Sequence, residues 1–386
     1  MAMGRFKKGA RKNQESFSDY TLLFIVLFLL AFGLVMLYSS SAYDANLTYN
    51  DSTYLFRKQI FSTLAGLVVL FVTAHLPYHI WERFAVLGYG VSVVLILLII
   101  PFGIEANGAK RWLKIMGVSL QPAEVAKLAM ILFLAYIICK MGRSIRTPKG
   151  FFFVLGLAAP MSLLIYVITR NLSSAIIIFG IAFVMLFVAC PDYKRFILLG
   201  LAGIAAAAVL VFAIVQMADS GGMGFRGERI LAWLDPEAYA SGKGFQTLQA
   251  LYAIGSGGIL GKGLGQSMQK LGFLPEAQND MIFSIICEEL GLFGAVAVLF
   301  MFLLLIWRCM IIANNAPDLF GALLVVGVMG HIAIQVILNV AVVTNTIPNT
   351  GISLPFISYG GSSVMFLLAE IGIVFSVGKG IRLKDL

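Results

Sequence analysis

From residue 319 to residue 369 the chain runs for 51 residues without an Asp, Glu, Lys or Arg. Apolar sequence on that scale suits a lipid bilayer, whose hydrocarbon core is about 30 Å thick and takes ~20 residues of helix to cross. The run is too long for one span, and Pro348 and Pro355 interrupt it, so it holds two. Further charge-free stretches cover residues 20–43, 59–81, 84–104, 150–169, 171–191 and 196–218, and another covers 290–307, extending back to about 281. Residues 120–139 are equally apolar apart from Glu124 and Lys127. The total is ten spans. With 60% hydrophobic and 12% charged residues, the chain reads as one all-α polytopic membrane domain over residues 1–386.

An even number of spans places both termini on one side, and the basic residues say which. Arg5, Lys7, Lys8, Arg11 and Lys12 precede the first span, and Lys379, Arg382 and Lys384 follow the last. Lys140, Arg143, Arg146, Lys149, Lys194, Arg195, Arg83 and Arg308 fall on the same face, sixteen of the 28 Lys and Arg. That face is cytoplasmic by the positive-inside rule. Residues 1–19 form a basic cytoplasmic tail, and the formal charge of +9 suits anionic lipid rather than nucleic acid. The first apolar stretch is longer than a signal-peptide core and lacks a small-residue cleavage site, so it is a true span. Cys139, Cys190, Cys287 and Cys309 have no metal-ligand spacing and read as buried apolar residues. The three histidines have no paired carboxylate spacing, which argues against zinc.

The remaining polar residues gather on the outer face. Residues 219–280 form a long outer loop, a length that is usually functional. Within it, residues 227–234 and 245–254 have the period of short amphipathic helices. The glycine-rich run 255–265 lets backbone approach a ligand closely, though it matches no nucleotide-binding spacing. Lys110, Arg111 and Lys114 make an outer loop basic against the topological trend, which an anionic ligand explains. Pro122 suits a helix first turn. It places Glu124 and Lys127 at i and i+3, either a self-neutralising packing pair or, the preferred reading, groups facing a cavity. Arg226 and Arg229 share the same spacing and can both meet a phosphate, or form a solvated face. The last outer connection, "TNTIPNTGISLPFISYGGSS", reads as a re-entrant loop lining that cavity.

The motifs "FGLVMLYSSSA", "GAKRWLKI" with "SLQPAEVAKLA", "RILAWLDPE" with "GFQTLQALYAIGSGGILGKGLGQSMQKLGFLPEAQNDMIF", "EELGLFG" and "LPFISYGGSS" occur in order along essentially the whole chain. Together they resemble the SEDS family (shape, elongation, division and sporulation), its division and sporulation members more than its elongation member. The resemblance implies a peptidoglycan glycosyltransferase that polymerises lipid II, a disaccharide-pentapeptide on undecaprenyl pyrophosphate, in the bacterial cell membrane. It also implies ten helices around an outward-opening cavity, partly like GT-C glycosyltransferases, a class B penicillin-binding protein transpeptidase as partner, and other division proteins. The family's essential aspartate falls on Asp280 in "LPEAQNDMIF", and its Glu and Lys pair on Glu124 and Lys127. Gln278 and Asn279 replace residues often seen beside that aspartate, and "RNLSS", residues 170–174, departs from the family's "PDLGT".

Forming a β-1,4 bond from an α-linked pyrophosphate inverts the anomeric carbon, so one carboxylate acting on the acceptor hydroxyl suffices. Asp280 is that base, with a helix N-cap as its structural alternative. The departing pyrophosphate wants cations, from Arg111, Lys127, Arg226, Arg229 or a divalent metal, Mg or Mn; no organic cofactor is expected. Lys270, Glu276, Gln278 and Ser358 complete the substrate contacts, Glu276 following Pro275 in a solvated loop. Glu288 and Glu289 pair within the protein or face the cavity floor. Small residues Gly327, Gly330 and Ala333 make the face of residues 323–338 a packing site for the partner. Two alternatives stand: a flippase for lipid-linked sugar, which places ionisable residues at mid-membrane, and a scaffold of the division machinery.

Overall fold

The computed structural model describes residues 19–106, 109–115, 118–190, 192–218, 225–242 and 244–381. Among the described residues, ten helices are long and apolar enough to cross a membrane. They are α1 (Tyr20–Tyr49), α2 (Tyr54–His75), α3 (Ile80–Phe102), α4 (Pro122–Met141), α5 (Pro148–Thr169), α6 (Leu172–Ala189), α7 (Tyr193–Ala218), α10 (Ile282–Asn314), α11 (Leu319–Val343) and α12 (Gly361–Gly378). Two shorter helices, α8 (Phe225–Leu234) and α9 (Phe245–Gly257), occupy the long loop where amphipathic helices were expected. The basic residues 5–12, Asp219, Arg382, Lys384 and the side chain of Arg226 lie outside the described residues.

Local chemistry sets the helix ends. Asp19, Thr147, Asn171 and Asp318 each accept a backbone N–H of the first turn of α1, α5, α6 and α11. Asp19 also receives Arg308 at 2.7 Å, tying the start of α1 to α10. The second span lies five residues earlier than the charge pattern suggests. Its first turn tolerates Arg57, which pairs with Asp51, and the chain leaves the helix at Leu76, just before Pro77.

An unexpected feature is a three-stranded antiparallel sheet, β1 (Ile104–Ala106), β2 (Ala109–Ile115) and β3 (Val118–Leu120), in order β1-β2-β3. It replaces the irregular loop between α3 and α4. An Asn107-Gly108 dipeptide between β1 and β2 is a hairpin signal in the sequence.

The cysteines are free, three of them buried and Cys139 half-buried. α11 and α12 are the most enclosed spans, whereas the apolar surface of α7 is exposed. A Cβ on Gly327 would press on Ile131 of α4, and one on Gly330 would sit 2.9 Å from Val184 of α6. Gly327 and Gly330 therefore serve packing inside the bundle, whereas residues 323–338 were expected to present them to a partner.

α10 is broken near its start. Gly291 has φ 67° and ψ −166°, and residues on either side turn to the glycine-rich run. Lys262 and Gly263 donate their N–H groups to the carbonyls of Glu288 and Glu289, and Leu292 and Phe293 donate to Gly258 and Ile259. Residues 258–263 of the glycine-rich run thus make a close backbone approach to α10.

Candidate active site

The segment before α10 is held by its own backbone. Three consecutive carbonyls each receive one donor: Gln278 from the Tyr359 N–H at 2.9 Å, Asn279 from Ser358 Oγ at 2.6 Å, and Asp280 from Asn339 Nδ2 at 2.8 Å. Asn339, near the end of α11, also donates to Ile352 at 2.6 Å and so joins the segment to the irregular stretch 344–360. That stretch carries buried Ile352, Leu354, Phe356 and Ile357, and it bonds to α6 from Ser173 to Thr350. The expected re-entrant loop takes this form. Position 351 faces the carboxylate: Gly351 has φ 68°, and a Cβ there would lie 3.5 Å from Asp280 Oδ2.

Asp280 is half-buried as a residue, but its Oδ1 is enclosed and without a hydrogen-bond partner among the described residues. Burial, then the nearby charge of Glu276, pushes its carboxyl up to about 7, against the pull of Arg229. It makes no N-cap, since the cap position of α10 is Met281 with no side-chain bond. Glu276, at φ 57°, accepts from Asn279 and is half-buried rather than solvated.

Arg229 of α8 acts electrostatically on both Asp280 and Arg111. Arg111, on β2, donates to the carbonyls of Thr169 and Arg170 at 3.2 Å, and burial followed by the charge of Arg229 lowers its pKa. Arg229 thus stands in electrostatic range of both the carboxylate and a second guanidinium, and two such groups suit a doubly anionic ligand. Beside them lies a cavity of about 260 Å³ lined by Arg229, Trp233, Gln246, Thr247, Pro275 and Asn349.

Other expected contacts lie elsewhere. Glu124 and Lys127 are buried and closed on each other at 2.8 Å, with Ser363 of α12 donating to Glu124, so they form a packing pair rather than a cavity lining. Lys270 binds Glu289 at 2.7 Å and Ser39 at 2.9 Å beside a separate apolar cavity of about 600 Å³ against α1. Glu288 pairs with Lys262 at 2.7 Å. Gln278 donates to Asp44 at 3.0 Å, and buried Ser358 is spent on the backbone of Asn279 and Leu354. The sequence reading passed over Asn339, although His331, Gln335 and Asn339 recur at i, i+4 and i+8 in an uncharged span. The carboxylates that the histidines meet, Glu370 for His331 and Asp318 for His79, are distant in sequence. Among the described residues no three His, Cys, Asp or Glu side chains converge as a metal site.

Fold and site together define a multi-pass membrane protein with a carboxylate and two guanidinium groups at one end of its bundle. The family model described as "Cell cycle protein", that of FtsW, RodA and SpoVE, matches residues 20–382. The chain belongs to this family. It is 38% identical to stage V sporulation protein E of Bacillus subtilis (strain 168), over 94% of this chain and 97% of that one. It is 37% identical to the probable peptidoglycan glycosyltransferase FtsW of Trichlorobacter lovleyi, over 95% of each. Among solved structures it resembles a chain from a study of coordinated polymerisation and crosslinking by a peptidoglycan synthase complex, with TM-score 0.76 and 28% identity over 94% of this chain and 97% of that one. It also resembles the rod shape determining protein RodA of Thermus thermophilus, with TM-score 0.66 and 27% identity over 95% of this chain and 98% of that one.

Proposed function

We infer that the chain is a peptidoglycan glycosyltransferase, the activity named for its FtsW relatives, and that it polymerises lipid II during cell division with Asp280 as general base. The observation that carries this reading is the setting of Asp280: a carboxyl whose affinity for protons lies near neutrality, on a clamped segment, within reach of Arg229, which in turn neighbours Arg111. A base with a pKa near the working pH is the effective kind. The acceptor oxygen attacks the anomeric carbon while the carbon–oxygen bond to pyrophosphate breaks with its electron pair. Asp280 takes the hydroxyl proton, and the guanidinium groups meet the charge that develops on the leaving group. A divalent cation, Mg or Mn, would meet the pyrophosphate oxygens and help neutralise the leaving group.

The titration has a direction. Activity rises with pH as Asp280 ionises and levels off above about 7. Asp280→Asn keeps the shape and removes the base, at a cost of about 10² to 10⁴ in rate. Polymer length from purified lipid II is the test, with lipid II binding and detergent stability as controls; near-normal polymer from the variant overturns the base assignment. The flippase reading keeps one supporting observation, the buried pair His331–Glu370 within the spans. It predicts transport that survives Asp280→Asn. A class B penicillin-binding protein transpeptidase is the proposed partner, in line with the synthase complex among the structural neighbours.

A further inference from the structure

His331, Gln335 and Asn339 share one face of α11 and are buried, with 1%, 2% and 0% of their surface exposed. Asn339 donates to the Asp280 carbonyl at 2.8 Å, Gln335 to that of Ser353 at 2.9 Å, and His331 Nδ1 meets Glu370 of α12 at 2.8 Å. The stripe runs about 12 Å, eight residues at ~1.5 Å each, from the Asp280 segment to the middle of the span. Of the eleven buried side-chain polar atoms without a hydrogen-bond partner among the described residues, five lie along it: Asp280 Oδ1, Asn339 Oδ1, Gln335 Oε1, His331 Nε2 and Glu370 Oε1. Such a run of polar atoms in a buried setting is where proteins retain internal water.

Ionisable side chains within a span are costly and mark function, yet glycosyl transfer as derived above leaves His331 and Glu370 idle. Other charged groups on the elements around them are engaged. Glu124 and Lys127 of α4 close on each other, Glu288 and Glu289 of α10 hold Lys262 and Lys270, and Lys379 beyond α12 donates to Ala74. On α2, Arg57 pairs with Asp51 and Lys58 is exposed; α6 and α9 carry no charged residue. At the outer end the charges that act on Asp280, among the described residues, are Glu276 and Arg229.

We propose that the polar face of α11, with Glu370, is a proton store for Asp280: it takes inward the proton removed from the acceptor hydroxyl and returns it once the product has moved off. The proposal rests on Asp280 being the base. While two lipid-linked sugars cover the site, exchange of Asp280 with outer water is blocked, and its Oδ1 already lies on the buried side. The contact of His331 Nδ1 with the Glu370 carboxylate leaves Nε2, without a hydrogen-bond partner among the described residues, to take the proton. Per linkage, one carbon–oxygen bond forms, one breaks with its pair on pyrophosphate, and one proton passes from the hydroxyl to Asp280 and over bound water to Nε2. His331, Gln335 and Glu370 act through Asp280 and do not touch substrate.

The test uses the purified full chain and lipid II, comparing wild type with His331→Gln, Glu370→Gln and Gln335→Met. The first linkage should form at the wild-type rate, whereas sustained turnover should fall about tenfold or more, within the range that proton transfer contributes. The acid limb of the pH profile should move, and imidazole, a small diffusible base, should restore part of the rate. Gln335→Met leaves the His331–Glu370 pair intact and decides the matter where the other two variants do not fold. Wild-type turnover and pH profile in the variants overturn the proposal. So does slower turnover with an unmoved profile and no imidazole effect, which assigns the stripe to packing alone. Normal polymer from Asp280→Asn removes the base reading itself; an inactive Asp280→Asn beside wild-type behaviour in the other three removes only the store.

Discussion

Asp280 sits where burial opposes ionisation, and that has a consequence for stability. Its carboxyl holds a proton up to about pH 7 in the folded chain against an ordinary 3.8. Below about pH 4 both states are protonated and the group contributes nothing; as pH rises towards 7 the unfolded chain ionises first and the native state loses stability. Asp280→Asn should therefore unfold at a higher temperature at pH 8, by a few degrees for ~1 kcal/mol or more, with the gain fading below about pH 4. A lower unfolding temperature at pH 8 contradicts this account. Ser358→Ala strips a donor from Asn279 and an acceptor from Leu354, so it should cost ~1–3 kcal/mol and slow polymerisation while lipid II still binds. A calorimetric scan beside a binding assay separates that outcome from the substrate contact the sequence suggested. Asp280 was legible through the family motif around it. Asn339 was not, because its bond to Asp280 spans 59 residues and nothing in an apolar run says which turn of α11 meets which carbonyl.

Helix boundaries follow from apolar length and cap residues, which is why the ten spans were readable from charge spacing. The break in α10 is different. Gly291 was visible only as one glycine in "EELGLFG", and its need for glycine comes from residues 258–261, some thirty positions earlier. A Cβ at Gly291 would overlap the backbone of Ile259 and Gly261 at a left-handed φ. Gly291→Ala should cost more than the ~1–3 kcal/mol of backbone strain alone, and it should free the glycine-rich run to proteolysis. Unaltered detergent stability would argue against the break as a structural need. The Lys262 and Lys270 pairs were hidden likewise, since lysines in a glycine-rich loop look solvated until that loop folds against α10. Lys270→Met leaves Glu289 buried and unpaired, a loss of about 3–5 kcal/mol. Adding Glu289→Met should recover most of it, as thermal unfolding of the single and double variants will measure.

Within the assembled bundle, α11 and α12 lie inside and the other spans wrap them. Gly330 is spent on packing there, and Gly330→Leu should lower stability by driving a side chain into Val184 rather than selectively weaken co-purification with a transpeptidase. Orientation across the membrane follows from charge. Lys140, Arg143, Arg146, Lys149, Lys194, Arg195 and Arg308 lie at one end of the spans, with Arg83 and Lys379, whereas Arg111, Arg229 and Asp280 lie at the other. Lys and Arg are retained on the cytoplasmic side during insertion, so the Asp280 end should face outward. The guanidinium groups there, which insertion disfavours, are the ones proposed to meet the leaving pyrophosphate. Ten spans also return the chain to its starting side, so both termini should be cytoplasmic. A reporter that folds only outside the cytoplasm, inserted after Ser241 in the exposed turn between α8 and α9, should be active, and the same reporter at either terminus should be silent. Activity at a terminus together with silence at Ser241 would invert the molecule and place Asp280 on the side where a finished glycan strand cannot be used.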